Sequence, residues 1–254
     1  MNFGFVKVAS AIPSLKVADC TYNTQQIESL IIQAEGKGVE IICFPELCIC
    51  GYTCADLFAQ QLLLENCEES LFKLLDFTRS LNIITIVGAP VAVGGLLMNC
   101  AIVIQSGKIL GIVPKTYLPN YKEFYEQRWF ASSTALTDTQ IRICGQTVPF
   151  SKNLIFHTQK TNFAIELCED LWAPIPPSST LALKGAEQNE GLAQVIAHYN
   201  YTLRLRSCGL CREPGLCPVP IRTLSQYPAH GHLPHKNPEQ EVTLSLHPPL
   251  RTLP

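Results

Sequence analysis

The sequence predicts a mixed α/β fold, and three observations carry that prediction. Apolar runs of strand length alternate along the chain with longer segments of helical period. Two of these runs, Cys100-Ala-Ile-Val-Ile-Gln and Lys108-Ile-Leu-Gly-Ile-Val, are separated only by Ser106-Gly107, a two-residue hairpin signal that makes the sheet mixed, not purely parallel. The 254 residues are 47% hydrophobic and 16% charged, enough apolar material for one sizeable core.

In chain order, the N-terminus enters alternating sequence directly and reads as a strand from about Gly4 to Ala11. A helix is expected from about Asn23 to Lys37, followed by a strand running into Phe44. A second helix is expected from about Glu65 to Leu81, then strands at Ile83 to Gly88, Asn99 to Gln105 and Lys108 to Val113. Further strands read at Asn153 to His157 and Asn162 to Leu167.

Three charged or nucleophilic residues close strands. Phe163-Ala-Ile-Glu-Leu-Cys-Glu-Asp-Leu-Trp172 is an apolar run that ends by presenting Cys168 among carboxylates, ahead of Pro174. Glu46 closes Val39-Glu-Ile-Ile-Cys-Phe-Pro-Glu, and Lys115 closes Lys108-Ile-Leu-Gly-Ile-Val-Pro-Lys. In both, a Pro immediately before the charged residue ends the ladder. Glu166, Glu169 and Asp170 would raise the thiol's pKa, so another group must take its proton. Nucleophile, general base and cation together are the parts needed for acyl transfer from an amide.

These segments resemble a known family. Phe44-Pro-Glu-Leu-Cys-Ile-Cys-Gly-Tyr-Thr-Cys-Ala-Asp-Leu-Phe58, Pro114-Lys-Thr-Tyr-Leu-Pro-Asn-Tyr-Lys-Glu-Phe-Tyr-Glu-Gln-Arg-Trp-Phe130 and Glu166-Leu-Cys-Glu-Asp-Leu-Trp172 are similar to the signature blocks of the nitrilase, or carbon–nitrogen hydrolase, superfamily. The Tyr117 to Arg128 and Gly51 to Phe58 runs resemble the glutaminase domain of bacterial glutamine-dependent NAD(+) synthetases, and the resemblance covers about residues 3 to 187. It implies a four-layer α-β-β-α sandwich, with Glu46 as general base, Lys115 as the cation at the tetrahedral intermediate and Cys168 as the nucleophile that becomes a thioester. It also implies a second glutamate near the lysine, for which Glu126 is the better match and Glu123 the fallback. Tyr52 and Tyr121 resemble pocket tyrosines around L-glutamine, and the backbone N–H of Glu169 would help hold the oxyanion. Full-length members are expected to be homo-oligomers.

The pattern changes after about Gly185. Residues 201–254 hold six Lys or Arg, three Asp or Glu, four of the six His and, from Pro214 onward, nine of the 18 Pro. The expected division is a carbon–nitrogen hydrolase domain over 1–187 and an atypical, poorly ordered Pro-rich tail over 188–254, so that the C-terminal part of the sandwich is incomplete. Absent from the sequence are the family's Arg-bearing segment for the substrate's carboxylate and any Ser-Gly-Gly-x-Asp-Ser pyrophosphate loop. The synthetase half, which uses ATP and Mg, is therefore expected outside this chain, which needs no cofactor of its own.

A net charge of -2 without a basic stripe argues against nucleic acid. No run reaches membrane-spanning length and no leader pattern opens the chain, so a cytoplasmic protein is expected. Twelve dispersed cysteines do not read as a disulfide framework. Cys43, Cys48, Cys50 and Cys54 cluster near Glu46 without the spacing of a paired Cys-x-x-Cys site, and Cys208-Gly-Leu-Cys211 has no partner pair, so no metal is expected. The expected reaction is glutamine side-chain hydrolysis that supplies ammonia for NAD(+) synthesis. Two other readings stay open: an amidase or carbamoylase acting on another small amide, and an inactive remnant.

Overall fold

The computed structural model describes residues 6–186, 192–197, 201–207 and 244–246. Along the chain run β1 (Val8–Ala11), α1 (Cys20–Gly36), β2 (Ile41–Cys43), α2 (Gln61–Phe77), β3 (Ile84–Val93), β4 (Leu96–Gln105) and β5 (Lys108–Pro114). There follow β6 (Thr139–Ile143), β7 (Gln146–Phe150), β8 (Phe156–His157), β9 (Thr161–Leu167), α3 (Glu169–Trp172), α4 (Pro177–Ala186), β10 (Leu192–Ala197), β11 (Tyr201–Ser207) and β12 (Leu244–Leu246). One sheet has eight strands in the order β12-β1-β2-β3-β4-β5-β7-β6, and the other has four, in the order β10-β11-β9-β8.

Alternation along the strands builds the layers. Ile41 and Cys43 of β2, Ile84 and Ile86 of β3, and Ala101 and Val103 of β4 join Phe163, Ile165 and Leu167 of β9 in one buried cluster between the sheets. Their neighbours Ile42, Val87, Cys100, Ile102 and Ile104 point the other way, onto Ile27, Ile31, Leu71 and Leu74 of α1 and α2. Helix α4 covers the outer face of β9, where Ser178 N donates to Glu166 Oε2 at 3.0 Å. The result is the α-β-β-α sandwich that the resemblance implies. Gly111 of β5 lets the sheets approach, since a Cβ there would lie 2.7 Å from Leu154 Cδ1 and 3.1 Å from Phe156 Cε1.

The β4–β5 hairpin turns on Ser106 and Gly107, at φ 49° and 73°, as its two-residue spacing predicts. Helix α2 starts four residues before its expected position and ends at Phe77. Thr78 Oγ1 donates to Leu74 O at 2.8 Å and to Leu75 O at 3.2 Å, and the chain tightens there into a 3₁₀ turn. The β6–β7 hairpin has no counterpart among the expected elements. Its strands are short and half polar, β7 contains Pro149, and its turn is Cys144-Gly145 at φ 47° and 73°.

Strand β11 lies within the segment 188–254 that the sequence reads as a poorly ordered tail. Its sequence Tyr-Thr-Leu-Arg-Leu-Arg-Ser alternates with period two, ahead of Pro214, and it pairs antiparallel along β9 from Tyr201↔Leu167 to Ser207↔Thr161. Most of the Pro-rich tail, with Cys208 and Cys211, lies outside the described residues. Among the described residues no helix is long and apolar enough to cross a membrane.

Candidate active site

Glu46 is delivered just past the end of β2. Phe44 N still donates to Ile86 O at 2.9 Å, and after Pro45 the chain turns sharply, with Cys48 N returning to Pro45 O at 3.2 Å and Gly51 N to Leu47 O at 2.7 Å. Leu47 takes a positive φ of 54° in this turn, a strain of about 1–3 kcal/mol that the surroundings must hold. Buried Asn23 pins the turn, its Nδ2 donating to Lys16 O at 2.9 Å and Ile49 O at 3.0 Å.

Lys115 follows Pro114 at the end of β5, with its N–H donating to Asn99 O on β4 at 2.9 Å. Its side chain is fully buried, and Nζ donates to Glu46 Oε1 and to Glu126 Oε1, each at 2.7 Å. Two of the ammonium's three N–H donors are thereby used and one remains. Tyr52 donates its hydroxyl to Glu126 Oε1 at 2.6 Å. Asn99 Nδ2 donates to Glu46 Oε1 and, over a longer 3.4 Å, to Glu126 Oε2.

One ammonium thus faces two buried carboxylates, leaving an excess negative charge when all three are ionised. Burial pushes Glu46 up to about 7; Lys115 opposes this and Glu126 adds to it. For Lys115, burial works against the ammonium, but Glu46 and Glu126 outweigh it and hold its pKa above the ordinary lysine value. The exposed Asp56 carboxylate docks the two loops, receiving Arg128 Nε at 2.8 Å, Arg128 Nη2 at 3.1 Å and Trp129 Nε1 at 3.0 Å. Phe58 packs edge-on against Phe130, with ring centres 4.8 Å apart.

Cys168 sits between β9 and α3 at φ 44°, ψ -97°, a conformation rare for any residue with a Cβ. This strand–turn–helix arrangement displays the side chain off the end of the sheet. As the first residue of α3, Glu169 has a backbone N–H without an intrahelical acceptor. Burial pushes the Cys168 thiol up to about 12, with Glu46 next, Lys115 opposing, and Glu126 and Glu169 adding smaller effects. The sulfur therefore lies within the field of all three buried charged groups.

The three carboxylates flanking Cys168 do not act alike, which corrects the expectation that all of them load the thiol. Strand alternation turns Glu166 toward α4, while Asp170 is buried and binds backbone. Asp170 Oδ1 accepts from Thr116 N at 3.0 Å and Tyr117 N at 2.7 Å, and its Oδ2 accepts from Leu167 N at 3.1 Å. It thus clamps the Cys168 turn to the loop after Lys115. Burial pushes its carboxyl up to about 6 against these bonds.

The predicted residues Glu46, Lys115, Glu126 and Tyr52 form one hydrogen-bonded cluster, and Cys168 stands within its field. Glu123, the fallback for Glu126, is exposed. Tyr121 is half exposed and donates to Glu169 Oε2 at 2.9 Å on the rim of a cleft lined also by Thr116, Asn120, Gln127 and Lys152. Asn99 and the clamping role of Asp170 are absent from the sequence reading. For Asn99 the available signal is an amide in the otherwise apolar Leu96-Leu-Met-Asn-Cys-Ala-Ile-Val-Ile run. Among the described residues no group of three His, Cys, Asp or Glu is arranged to hold a metal ion.

Comparison with known proteins matches residues 7–188 to the carbon-nitrogen hydrolase family. A glutamine-dependent NAD(+) synthetase from Mycobacterium leprae is 36% identical over 186 residues, which are 72% of this chain and 27% of that protein. The protein of the same name from Rattus norvegicus is 33% identical over 72% of this chain and 26% of its own length. The chain thus spans about a quarter of the length of these curated relatives. Among solved structures, a glutamine-dependent NAD(+) synthetase from Cytophaga hutchinsonii superposes with a TM-score of 0.58 at 27% identity, covering 62% of this chain and 27% of that one. The Acinetobacter baumannii enzyme in complex with ADP gives a TM-score of 0.58 at 26% identity, covering 71% and 31%.

Proposed function

The chain belongs to the carbon–nitrogen hydrolase family, and from that premise we propose that it hydrolyses the side-chain amide of L-glutamine through a thioester on Cys168. Glu46 takes the thiol proton as sulfur attacks the amide carbon, and the carbonyl's electron pair moves to oxygen. The remaining N–H of Lys115 and the backbone N–H of Glu169 stabilise that oxyanion. Glu46 then returns its proton to the leaving nitrogen, ammonia departs, and a water deprotonated by Glu46 attacks the thioester to release glutamate. Glu126, held by Tyr52, keeps Lys115 in place, and Tyr121 and Glu169 border the substrate's entry.

The single observation that carries this reading is the buried Glu46–Lys115 pair at 2.7 Å, whose charges both act on the thiol that Cys168 holds on a strained turn. A base raised to about 7 is matched to proton transfer near neutral pH, whereas a thiol near 12 is inert without one. The ammonia, in this proposal, feeds an ATP- and Mg-dependent amidation that completes NAD(+), carried out by a synthetase unit outside these residues. Cytoplasmic placement and assembly into a homo-oligomer belong to the same proposal.

The test is direct: incubate the full chain with L-glutamine and measure glutamate and ammonia, with Cys168→Ala as control and asparagine and acetamide as competing amides. Glutamine turned over fastest, and only with Cys168 present, is the expected result. Turnover of another amide in preference to glutamine would contradict it.

A further inference from the structure

We propose that Asn99 is a positioning residue that selects which oxygen of Glu46 receives the thiol proton. The proposal rests on the reading of Glu46 as the base for Cys168. Asn99 lies fully buried on β4, and its amide group faces both carboxylates: Nδ2 donates to Glu46 Oε1 and, at 3.4 Å, to Glu126 Oε2. Lys115 Nζ donates to the same Glu46 Oε1 at 2.7 Å. Glu46 Oε1 therefore has two donors aimed at it, while Oε2 is buried with no hydrogen-bond partner among the described residues.

A proton cannot add to Oε1 without displacing one of those donors, so Oε2 is the basic position. The S–H bond breaks, an O–H bond forms at Oε2, and the sulfur pair bonds to the amide carbon. The same oxygen later hands the proton to the leaving nitrogen. The orientation of the Asn99 amide follows from charge, because its oxygen turned toward two carboxylates would be repelled.

A neutral donor suits this position. A lysine would stabilise the carboxylate so strongly that it could no longer accept a proton near neutral pH, and an aspartate would offer no donor and add a third negative charge. The Lys115 N–H bonds to the main-chain carbonyl of Asn99, a ladder bond that any residue at 99 keeps, so substitutions there test the side chain alone. The Asn99 bond favours the ionised form of Glu46, in the direction expected for a donor on a carboxylate.

The experiment follows the rate at which a diazo-ketone analogue of glutamine labels Cys168 between pH 5 and 9, in the full chain and in Asn99→Ala, Asn99→Ser and Asn99→Asp, with melting temperatures alongside. Alanine should slow labelling by about tenfold or more and move the midpoint of the acid limb upward by about one pH unit. Serine keeps one donor and should fall between alanine and wild type, and aspartate should shift the midpoint furthest. Should the aspartate variant not fold, the alanine and serine pair decides. Midpoints equal to wild type in both, with rates falling only in proportion to lost folded protein, would overturn the positioning role alone. Failure of the wild-type chain to label at Cys168 would bring down the hydrolase reading, and this proposal with it.

Discussion

The two sheets contribute to one site in different ways. The eight-stranded sheet supplies Glu46, Asn99 and Lys115 from strands covered by α1 and α2, and their charges and amides hold one another in a buried ring. The four-stranded sheet supplies Cys168 from the end of β9, on a backbone conformation that the residue does not favour. The difference teaches a division of labour: buried charge is a property of the first sheet, and display of the proposed nucleophile a property of the second. Damage to the first should change rate, pH dependence and stability together. Damage at Cys168 should remove the chemistry and leave the fold.

The largest effect sharpens that contrast. Cys168→Ala should lower glutamine turnover by at least ~10³-fold while changing stability by about 1 kcal/mol or less, measured by ammonia release and urea unfolding. Lys115→Met should break the other half, costing ~10²-fold or more in rate and about 3–5 kcal/mol in stability, because two buried carboxylates lose their counter-ion. A Lys115→Met chain as stable as wild type would refute the buried ring.

The pH dependence of stability comes next. Glu46 is raised from an ordinary 4.5 to about 7, and Asp170 from 3.8 to about 6, so the folded state binds these protons more tightly than the unfolded one. The stability they contribute is complete below the unfolded values and is lost as pH rises through about 6 to 7. Urea unfolding should show a decline of about 1–3 kcal/mol between pH 4.5 and 7.5, reduced in Glu46→Gln. Tyr52→Phe, which removes one hydroxyl donor from Glu126, should cost about 1 kcal/mol and a few-fold in rate. Asp56→Asn at the exposed loop junction should leave the urea midpoint almost unchanged, since water screens the pair.

The fold was legible where period and turn chemistry agreed, as at β3 to β5 and the Ser106-Gly107 turn. The β6–β7 hairpin was not, because its pairing is set by register with neighbouring strands and not by an apolar run. Glu46, Lys115 and Cys168 were legible because each stands at a strand's end, two of them marked by proline. Asn99 and Asp170 were not. Their partners lie 53 residues away at Glu46 and 53 to 54 residues away at Thr116 and Tyr117, and a lone polar residue carries no trace of what it will bind. Strand β11 was not legible, because its short alternating segment stands ahead of Pro214 within a stretch, 188–254, whose composition is dominated by the prolines that follow.

The most direct test of the account compares two thiols. Among the described cysteines only Cys144 and Cys168 are not fully buried. The full chain, exposed to a diazo-ketone analogue of glutamine and mapped by mass spectrometry, should carry one adduct, on Cys168. Its labelling rate should rise through pH 7 with the Glu46 carboxyl, and free glutamine should block it, while iodoacetamide should modify Cys144 regardless of glutamine. Equal analogue labelling of Cys144 and Cys168, or a rate that climbs only above pH 8.5 as for an unassisted thiol, would contradict the claim that Glu46 activates Cys168.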